Sequence, residues 1–353
     1  MRATTFPSAA TALLAAVTAA VALSACGKSN SPTPAPTVTV TQGASSSASA
    51  SSSASAAAAT PPAIVAVTTA GSLVTLNPAT GAASQTLVSG HVLGDEISVS
   101  STGMVYFAVK HGCSAEIEAI PAAGGAVTSV AVGSLPAVSP DGTKLAYASQ
   151  PSLTPGCVSA SPDVAAQYHV AIRTLSSGST VSLPMFAPGQ GSGLPEPISH
   201  LSWAPDNDHL AVSIASPEDN EGWNVNLLET SQAQAYMAGS GVTYVPVTGK
   251  QSAGNFSYLR EGVYMPNGDL FVSRACCAGL PPRNTSALLW EVGTNGAFVH
   301  QVAVGFPNLV HTSLDVSSDG SWLLYLAGSD LYVSAGGATP RELTTGLIAA
   351  AWG

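Results

Sequence analysis

Along most of this chain apolar and polar residues alternate in short runs separated by turn-forming residues. In Leu135–Ser149 (LPAVSPDGTKLAYAS) a short apolar strand leads into Ser-Pro-Asp-Gly, and a second strand follows with apolar side chains on alternate positions. Such period-two alternation is what a half-buried strand produces. Asp-Gly between two such runs signals a hairpin, because the turn needs residues that tolerate positive φ.

Variants of this hairpin recur. Asp95–Ser101 pairs with Val105–His111 through Ser-Thr-Gly, and His200–Ala204 pairs with His209–Ser216 through Pro205-Asp206-Asn207-Asp208. Gly262–Met265 and Leu270–Ala275 flank Pro266-Asn267-Gly268-Asp269, while Ser313–Ser317 and Trp322–Gly328 flank Ser318-Asp319-Gly320. Each hairpin precedes two more strand-like runs, such as Glu116–Ala122 with Val127–Gly133, which makes five units of four strands. Residues 63–90 add three strand-like runs without such a hairpin, and the chain ends in Leu347–Gly353 (LIAAAWG). That last run matches HLSWAP, the first strand of the fourth unit, with Trp352 where Trp203 stands. A lone strand at one end and three at the other predict an all-β, six-bladed β-propeller over residues 63–353, sealed by pairing the C-terminal strand with the N-terminal blade. Closure removes the open edges that a linear stack of sheets exposes. Two stacked sandwiches leave the split sixth unit unexplained. Trp203 and Trp352 read as core or inter-blade packing residues.

The segment Ser139-Pro140-Asp141-Gly142-Thr143-Lys144-Leu145-Ala146-Tyr147 resembles the repeat of the TolB-like, WD40-like propellers, with looser copies at Ala204–Val212 and Ser317–Tyr325. The second and fifth units diverge from it, and the Gly-His and Trp-Asp signatures of true WD repeats are missing. The resemblance covers roughly 290 residues. It implies a fold and, for function, protein interaction at the cell envelope; propellers host many unrelated activities.

The N-terminus adds an address. Arg2 precedes an uncharged run from Ala9 to Leu23, which has the length of a signal-peptide core and is short for a membrane span. It ends in Leu23-Ser24-Ala25-Cys26-Gly27, which resembles the lipobox of bacterial lipoproteins. The resemblance implies a signal peptide over 1–25, cleavage before Cys26 and a diacylglyceryl thioether on Cys26. Two acyl chains hold a protein stably at a bilayer, where one does not. The alternative is an ordinary secretory signal with an incidental cysteine. Residues 26–62 form a Ser/Ala/Pro/Thr tract with no charge after Lys28. Such a tract cannot bury enough surface to offset its ordering entropy, and it reads as a disordered tether. A coil of that length spans about 30–35 Å root-mean-square.

Charge narrows the partners. Only 8% of the 353 residues are charged, and twenty Asp and Glu against ten Lys and Arg give a formal charge of −10. All the acids lie from Asp95 onward, so the propeller itself is acidic. Nucleic-acid binding needs clustered cations and is disfavoured. The partner expected is an unidentified envelope protein or a wall-derived ligand, met by a monomer anchored to the cell membrane on its extracytoplasmic side.

Within a blade the loops between second and third strands share one face with the blade-to-blade connections, and the Asp-Gly turns lie on the other. Sequence length gathers on the first face, in 151–167, 217–222, 276–286 and 187–197, whereas the Asp-Gly face is expected to carry only tight turns. Long loops on one rim of a rigid scaffold are where binding is usually built; drift in tolerant loops is the other reading. Cys113 and Cys157 follow the second strands of adjacent units, and Cys276 and Cys277 are neighbours in the fifth. Outside the cytoplasm four cysteines favour disulfides, with Cys113–Cys157 the pairing that adjacent blades suggest; Cys276 and Cys277 are left as a strained bridge or two thiols. Neither pair has zinc-finger spacing.

His200 and His311 open first strands, where side chains ring the channel mouth, and Glu96, Arg260 and Glu261 hold comparable places. These five form a candidate metal or polar-ligand site, against the plainer reading of a solvated opening. Glu218, Asp219 and Glu221 share one loop without an EF-hand pattern, and Asn284-Thr285-Ser286 fits a glycosylation sequon that a bacterial lipoprotein gives no reason to use. Gly189-Gln190-Gly191-Ser192-Gly193 is not a nucleophile elbow, and no P-loop or H-E-x-x-H run occurs. No catalytic residue and no cofactor are therefore expected. The alternatives to a scaffold are a metal-dependent lactonase- or esterase-like hydrolase and a small-ligand sensor, both using the channel mouth.

Overall fold

The computed structural model describes residues 61–149, 169–184, 198–214, 224–232, 245–246, 249–251, 254–256, 259–274, 286–293, 297–307, 311–336 and 338–353. Residues 1–60, where the signal and most of the tether are expected, and most of the long-loop segments lie outside these residues.

The alternating runs become small antiparallel sheets. The first contains β1 (Ile64–Thr68), β2 (Leu73–Leu76) and β3 (Ala83–Val88). Blade 2 holds β4 (Val92–Val99), β5 (Met104–His111), β6 (Ser114–Pro121) and β7 (Thr128–Val132). Blade 3 holds β8 (Ser134–Val138), β9 (Lys144–Ser149), β10 (His169–Thr174) and β11 (Thr180–Pro184). Blade 4 holds β12 (Ile198–Trp203), β13 (His209–Ile214), β14 (Asn224–Glu229) and β15 (Val245–Pro246). A ribbon of β16 (Gly249–Gln251) and β17 (Gly254–Phe256) intervenes. Blade 5 holds β18 (Leu259–Tyr264), β19 (Leu270–Arg274), β20 (Ser286–Val292) and β21 (Phe298–Pro307). Blade 6 holds β22 (His311–Val316), β23 (Trp322–Ala327), β24 (Asp330–Ala335) and β25 (Arg341–Thr344).

The last strand, β26 (Leu347–Trp352), returns to the first sheet and pairs antiparallel with β1, Ile64 opposite Trp352 and Ala66 opposite Ala350. Six four-stranded sheets result, the first in the order β26-β1-β2-β3. Their innermost strands touch in the cyclic order β26, β4, β8, β12, β18, β22 and back to β26. This is the closed six-bladed β-propeller.

Stability resides between the blades. Each of six hydrophobic clusters joins side chains from two adjacent blades: Phe107 with Val65, Tyr147 with Ile117, Trp203 with Ala137, Val272 with Val225, Tyr325 with Phe271 and Leu324 with Ile64. Fully burying one large apolar side chain contributes about 1.5–3 kcal/mol, so every interface matters. Trp203 and Trp352 both belong to these clusters, and the Trp203 Nε1–H also donates to the Ala137 carbonyl at 2.9 Å.

The turns explain the repeat. At Ser139-Pro140-Asp141-Gly142 the Gly142 N–H donates to Ser139 O at 2.8 Å, and Gly142 takes φ +69°. The Ser139 hydroxyl donates to the Asp141 carboxylate at 2.6 Å, which also accepts the Thr143 N–H at 3.0 Å. Ser317-Ser318-Asp319-Gly320 repeats the arrangement. The equivalent left-handed position is Gly103 in blade 2, Gly268 in blade 5 and Asn207 in blade 4, the last at φ +59°. Asn tolerates that region better than other non-glycine residues.

Two expectations need correction. Four inner strands begin earlier than the alternation suggests, at Val92, Ile198, Leu259 and His311. A register shift near the start of every inner strand breaks the period-two signal there, so polar pairs such as Arg260-Glu261 look like loop. Nor is the Asp-Gly face built of tight turns alone. β14 ends at Glu229, and the next strand of that blade starts only at Val245. The connection leaves as a 3₁₀ turn, Thr230–Gln232, whose first N–H donates to Asp208 O at 2.7 Å in the Asp-Gly turn of blade 4.

Candidate functional site

The six inner strands surround a cavity of about 790 Å³ that follows the propeller axis from the strand starts to the Asp-Gly turns. Its volume lies within the range of small-molecule pockets. The register shifts shape it. On β26, β12 and β18 the extra residue is Ile348, Ser199 and Arg260 respectively, each five positions before the residue that opens the turn or ends the chain. On β8 and β22 the irregularity falls at Leu135 and Ser313, both with positive φ (53° and 50°). Among the described residues, Arg260 is the sole Lys or Arg lining the cavity.

His200 and Glu261 meet across blades 4 and 5, with Nδ1 and Oε1 3.4 Å apart and both side chains about 8% exposed. Glu261 Oε1 also accepts the Leu314 N–H at 2.6 Å, which ties blade 5 to blade 6. Burial pushes the Glu261 carboxyl up to about 8 and the His200 imidazole down to about 3. Both shifts favour the uncharged form, which suits a pair held where charge is costly. Burial lowers the Arg260 guanidinium and neighbouring Glu261 partly opposes this.

His311 is placed otherwise than at the mouth. It is 2% exposed, does not line the cavity, and packs edge-on against Tyr325 with ring centroids 5.4 Å apart. Burial, with Arg260 nearby, brings its imidazole down to about 4. Neither of its ring nitrogens nor the Tyr325 hydroxyl has a hydrogen-bond partner. The reason is the strand start: His311 precedes the irregularity of β22, so its side chain turns into the blade 5–blade 6 interface. The five proposed site residues are thus split, with His200, Arg260 and Glu261 on the cavity and His311 behind it. Glu96 belongs to β4, and its side chain is outside the described residues.

Asp315 is a site residue that sequence reasoning missed. It lines the cavity and occupies the place held by Ser98 in blade 2 and Ser202 in blade 4. Each of these side chains accepts the backbone N–H of the next inner strand: Ser98 from Val138 at 3.0 Å, Ser202 from Tyr264 at 3.0 Å and Asp315 from Trp352 at 2.7 Å. Burial raises the Asp315 carboxyl to about 6. The missed signal was Asp315 standing, two residues before the turn, where serine stands in blades 2 and 4.

Among the described residues no three His, Cys, Asp or Glu side chains group as metal ligands. Cys113 stands on the exposed turn between β5 and β6. Cys26, Cys157, Cys276, Cys277, the acids Glu218, Asp219 and Glu221, Gly189–Gly193 and the Asn284 sequon lie outside the described residues. No helix among the described residues is long and apolar enough to cross a membrane.

No protein-family model matches the sequence, and no curated protein matches it. Solved structures do. TolB from Acinetobacter baumannii superposes with a TM-score of 0.56 at 12% identity, over 82% of this chain and 65% of that one, so this chain spans about two thirds of its length. A putative TolB from Agrobacterium tumefaciens gives 0.50 at 11% identity, covering 81% of this chain and 90% of that one. The β-propeller domain of the trilobed protease from Pyrococcus furiosus gives 0.40 at 14% identity, over 71% and 70%, a likeness too slight to argue from. In fold, this chain is a TolB-like six-bladed β-propeller.

Proposed function

We propose that this chain is a lipid-anchored, extracytoplasmic propeller that acts as a protein-interaction module of the cell envelope. The TolB-like fold supports an interaction role, and Leu23-Ser24-Ala25-Cys26 supports the anchor. The observation that carries the reading is where the chain enters the wheel. The Gly353 N–H donates to Ala63 O at 2.7 Å, so the first and last residues of the propeller meet on the Asp-Gly face. A tether over 26–62, freed by cleavage of residues 1–25, joins that face, and the opposite rim carries most of the long connections. A rigid wheel on a flexible lead can present that rim to a partner without constraining its approach.

Stabilisation of the rim by a Cys113–Cys157 disulfide belongs to the same reading. It is supported by Cys113 standing on the exposed turn between β5 and β6, on the same face as the connection that follows β9 in the adjacent blade. Non-reducing peptide mapping that links Cys113 to Cys276 or Cys277 instead would overturn that pairing.

The test is cellular. A Cys26→Ser variant should lose incorporation of an alkyne-palmitate label and leave the membrane fraction. Photo-crosslinkers in loop 151–167 should capture one defined protein, while crosslinkers at Ser318 on the Asp-Gly face should not. Retained labelling in the variant removes the anchor, and equal capture from both faces removes the assignment of the working rim.

A further inference from the structure

We propose that the joint between blades 5 and 6 is the place where the wheel opens, and that proton uptake by His311 opens it. This device goes beyond the scaffold reading and does not rest on the anchor or on a protein partner.

The joint is apolar in outline and polar within. Phe271 and Leu289 of blade 5 meet Leu314, Leu323 and Tyr325 of blade 6 in one cluster. Ser273 lies two residues beyond Phe271 on β19 and so shares its face. Ser273, His311 and Tyr325 are 1%, 2% and 0% exposed. Four of their polar atoms, the Ser273 Oγ, both His311 ring nitrogens and the Tyr325 hydroxyl, have no hydrogen-bond partner. Among the described residues the joint between blades 6 and 1 holds two such atoms, the indole nitrogens of Trp322 and Trp352. At the other joints polar groups are put to use: Ser98 accepts from Val138, Ser202 from Tyr264, and Trp203 donates to Ala137. A buried polar group without a partner has given up its bonds to water and regained none, so these four atoms favour opening at this joint.

His311 supplies the trigger. Its neutral ring meets the Tyr325 ring edge-on, whereas an imidazolium would bring a charge and two N–H donors, neither with an acceptor here. The groups facing it are Tyr325 from β23, with Tyr332 of β24 stacked on that ring at 5.5 Å and bonded to Glu342, and Arg260 and Glu261 from β18. Glu261 is taken up by His200 and by the Leu314 N–H, and Asp315, four residues along β22, by the Trp352 and Val316 N–H groups. Of the other strands packed on β22, β26 carries no titratable residue, and β19 carries only Arg274, whose side chain is outside the described residues. Burial, then Arg260, holds the folded imidazole down at about 4, and the opened one returns to the ordinary histidine range. The open joint therefore binds the proton better and gains as pH falls. The bond from the Leu314 N–H to Glu261 crosses this joint on the cavity wall, so opening parts β18 from β22 and widens the cavity between them.

The experiment follows backbone hydrogen exchange of the full chain by mass spectrometry between about pH 7 and pH 4, corrected for the intrinsic exchange rate. Peptides covering β18, β19, β22 and β23 should lose protection by about ten-fold per pH unit from about pH 6 to pH 4, and those covering β5 and β9 should not. His311→Phe and His311→Leu should each flatten that dependence. Tyr325→Phe and Ser273→Ala should each raise protection in the same peptides and leave its pH dependence as it was. An equal loss in every blade would mean that the chain unfolds as a whole, and a slope surviving both His311 variants would mean that another group takes the proton. Either result overturns the proposal, as does a joint equally well protected at both ends of the pH range.

Discussion

The Asp315 carboxylate accepts the backbone N–H of Trp352 at 2.7 Å, and this bond spans the seam where the wheel closes. Trp352 belongs to the strand that completes blade 1, while Asp315 belongs to blade 6. Serines perform the same task at two other interfaces. Asp315→Ala should cost about 1–3 kcal/mol by stranding the amide, and Asp315→Ser should recover part of that. Denaturant melts of the three proteins check it; equal losses in both variants would contradict an acceptor role.

Removing Leu347–Gly353 strips Ala349, Ala350 and Trp352 from the core and leaves β1 as an open inner edge. The truncated chain should lose its single cooperative melt or associate through that edge. Size-exclusion chromatography with scattering, beside calorimetry, reads both outcomes. A monomer melting unchanged would mean that closure contributes nothing.

Glu261 links stability to pH with a definite sign. Its carboxyl is raised from its ordinary range to about 8 in the folded chain, so the favourable contribution is full at low pH and fades as pH rises through about 8. Glu261→Gln keeps an acceptor for Leu314 and removes the titration. The variant's melting temperature relative to the parent should therefore climb between pH 5 and pH 9; a flat difference would mean that the carboxyl titrates normally. His200 and His311 act in the opposite sense, since both are lowered, to about 3 and about 4. Their contribution holds above the ordinary histidine range and is lost as pH falls towards those values. His311→Phe should soften the acid limb.

Two glycines separate conformational from steric demands. Gly320 sits at φ +72° with only the Pro266 ring 3.5 Å from an added Cβ, so Gly320→Ala should lose about 1 kcal/mol to backbone strain alone. At Gly94 the obstacle is the Ile348 side chain. Gly94→Ala should be destabilising in the parent and much less so in Ile348→Ala. Additive losses in that double-mutant cycle would show that the two residues do not touch.

The fold was legible because it is written locally and repeatedly. Period-two alternation, Asp-Gly turns with an obligatory left-handed residue and a split sixth unit are properties of neighbours in sequence, and they determined the six blades and their closure. The site was legible only in part. His200, Arg260 and Glu261 could be placed near the opening by their position in the repeat, but His311, which stands six residues before its turn where Ile198 and Leu259 stand, turned into a blade interface. A one-residue bulge decides which way a side chain points, and alternation is lost at a bulge. Asp315 had the same cause of obscurity: its partner, Trp352, is a contact between the ends of two different blades. The sequence by itself determined which strands pair. Only the closed tertiary structure decided which polar side chains face the axis and which bind the blades together, because that depends on register and on neighbours far apart in the chain.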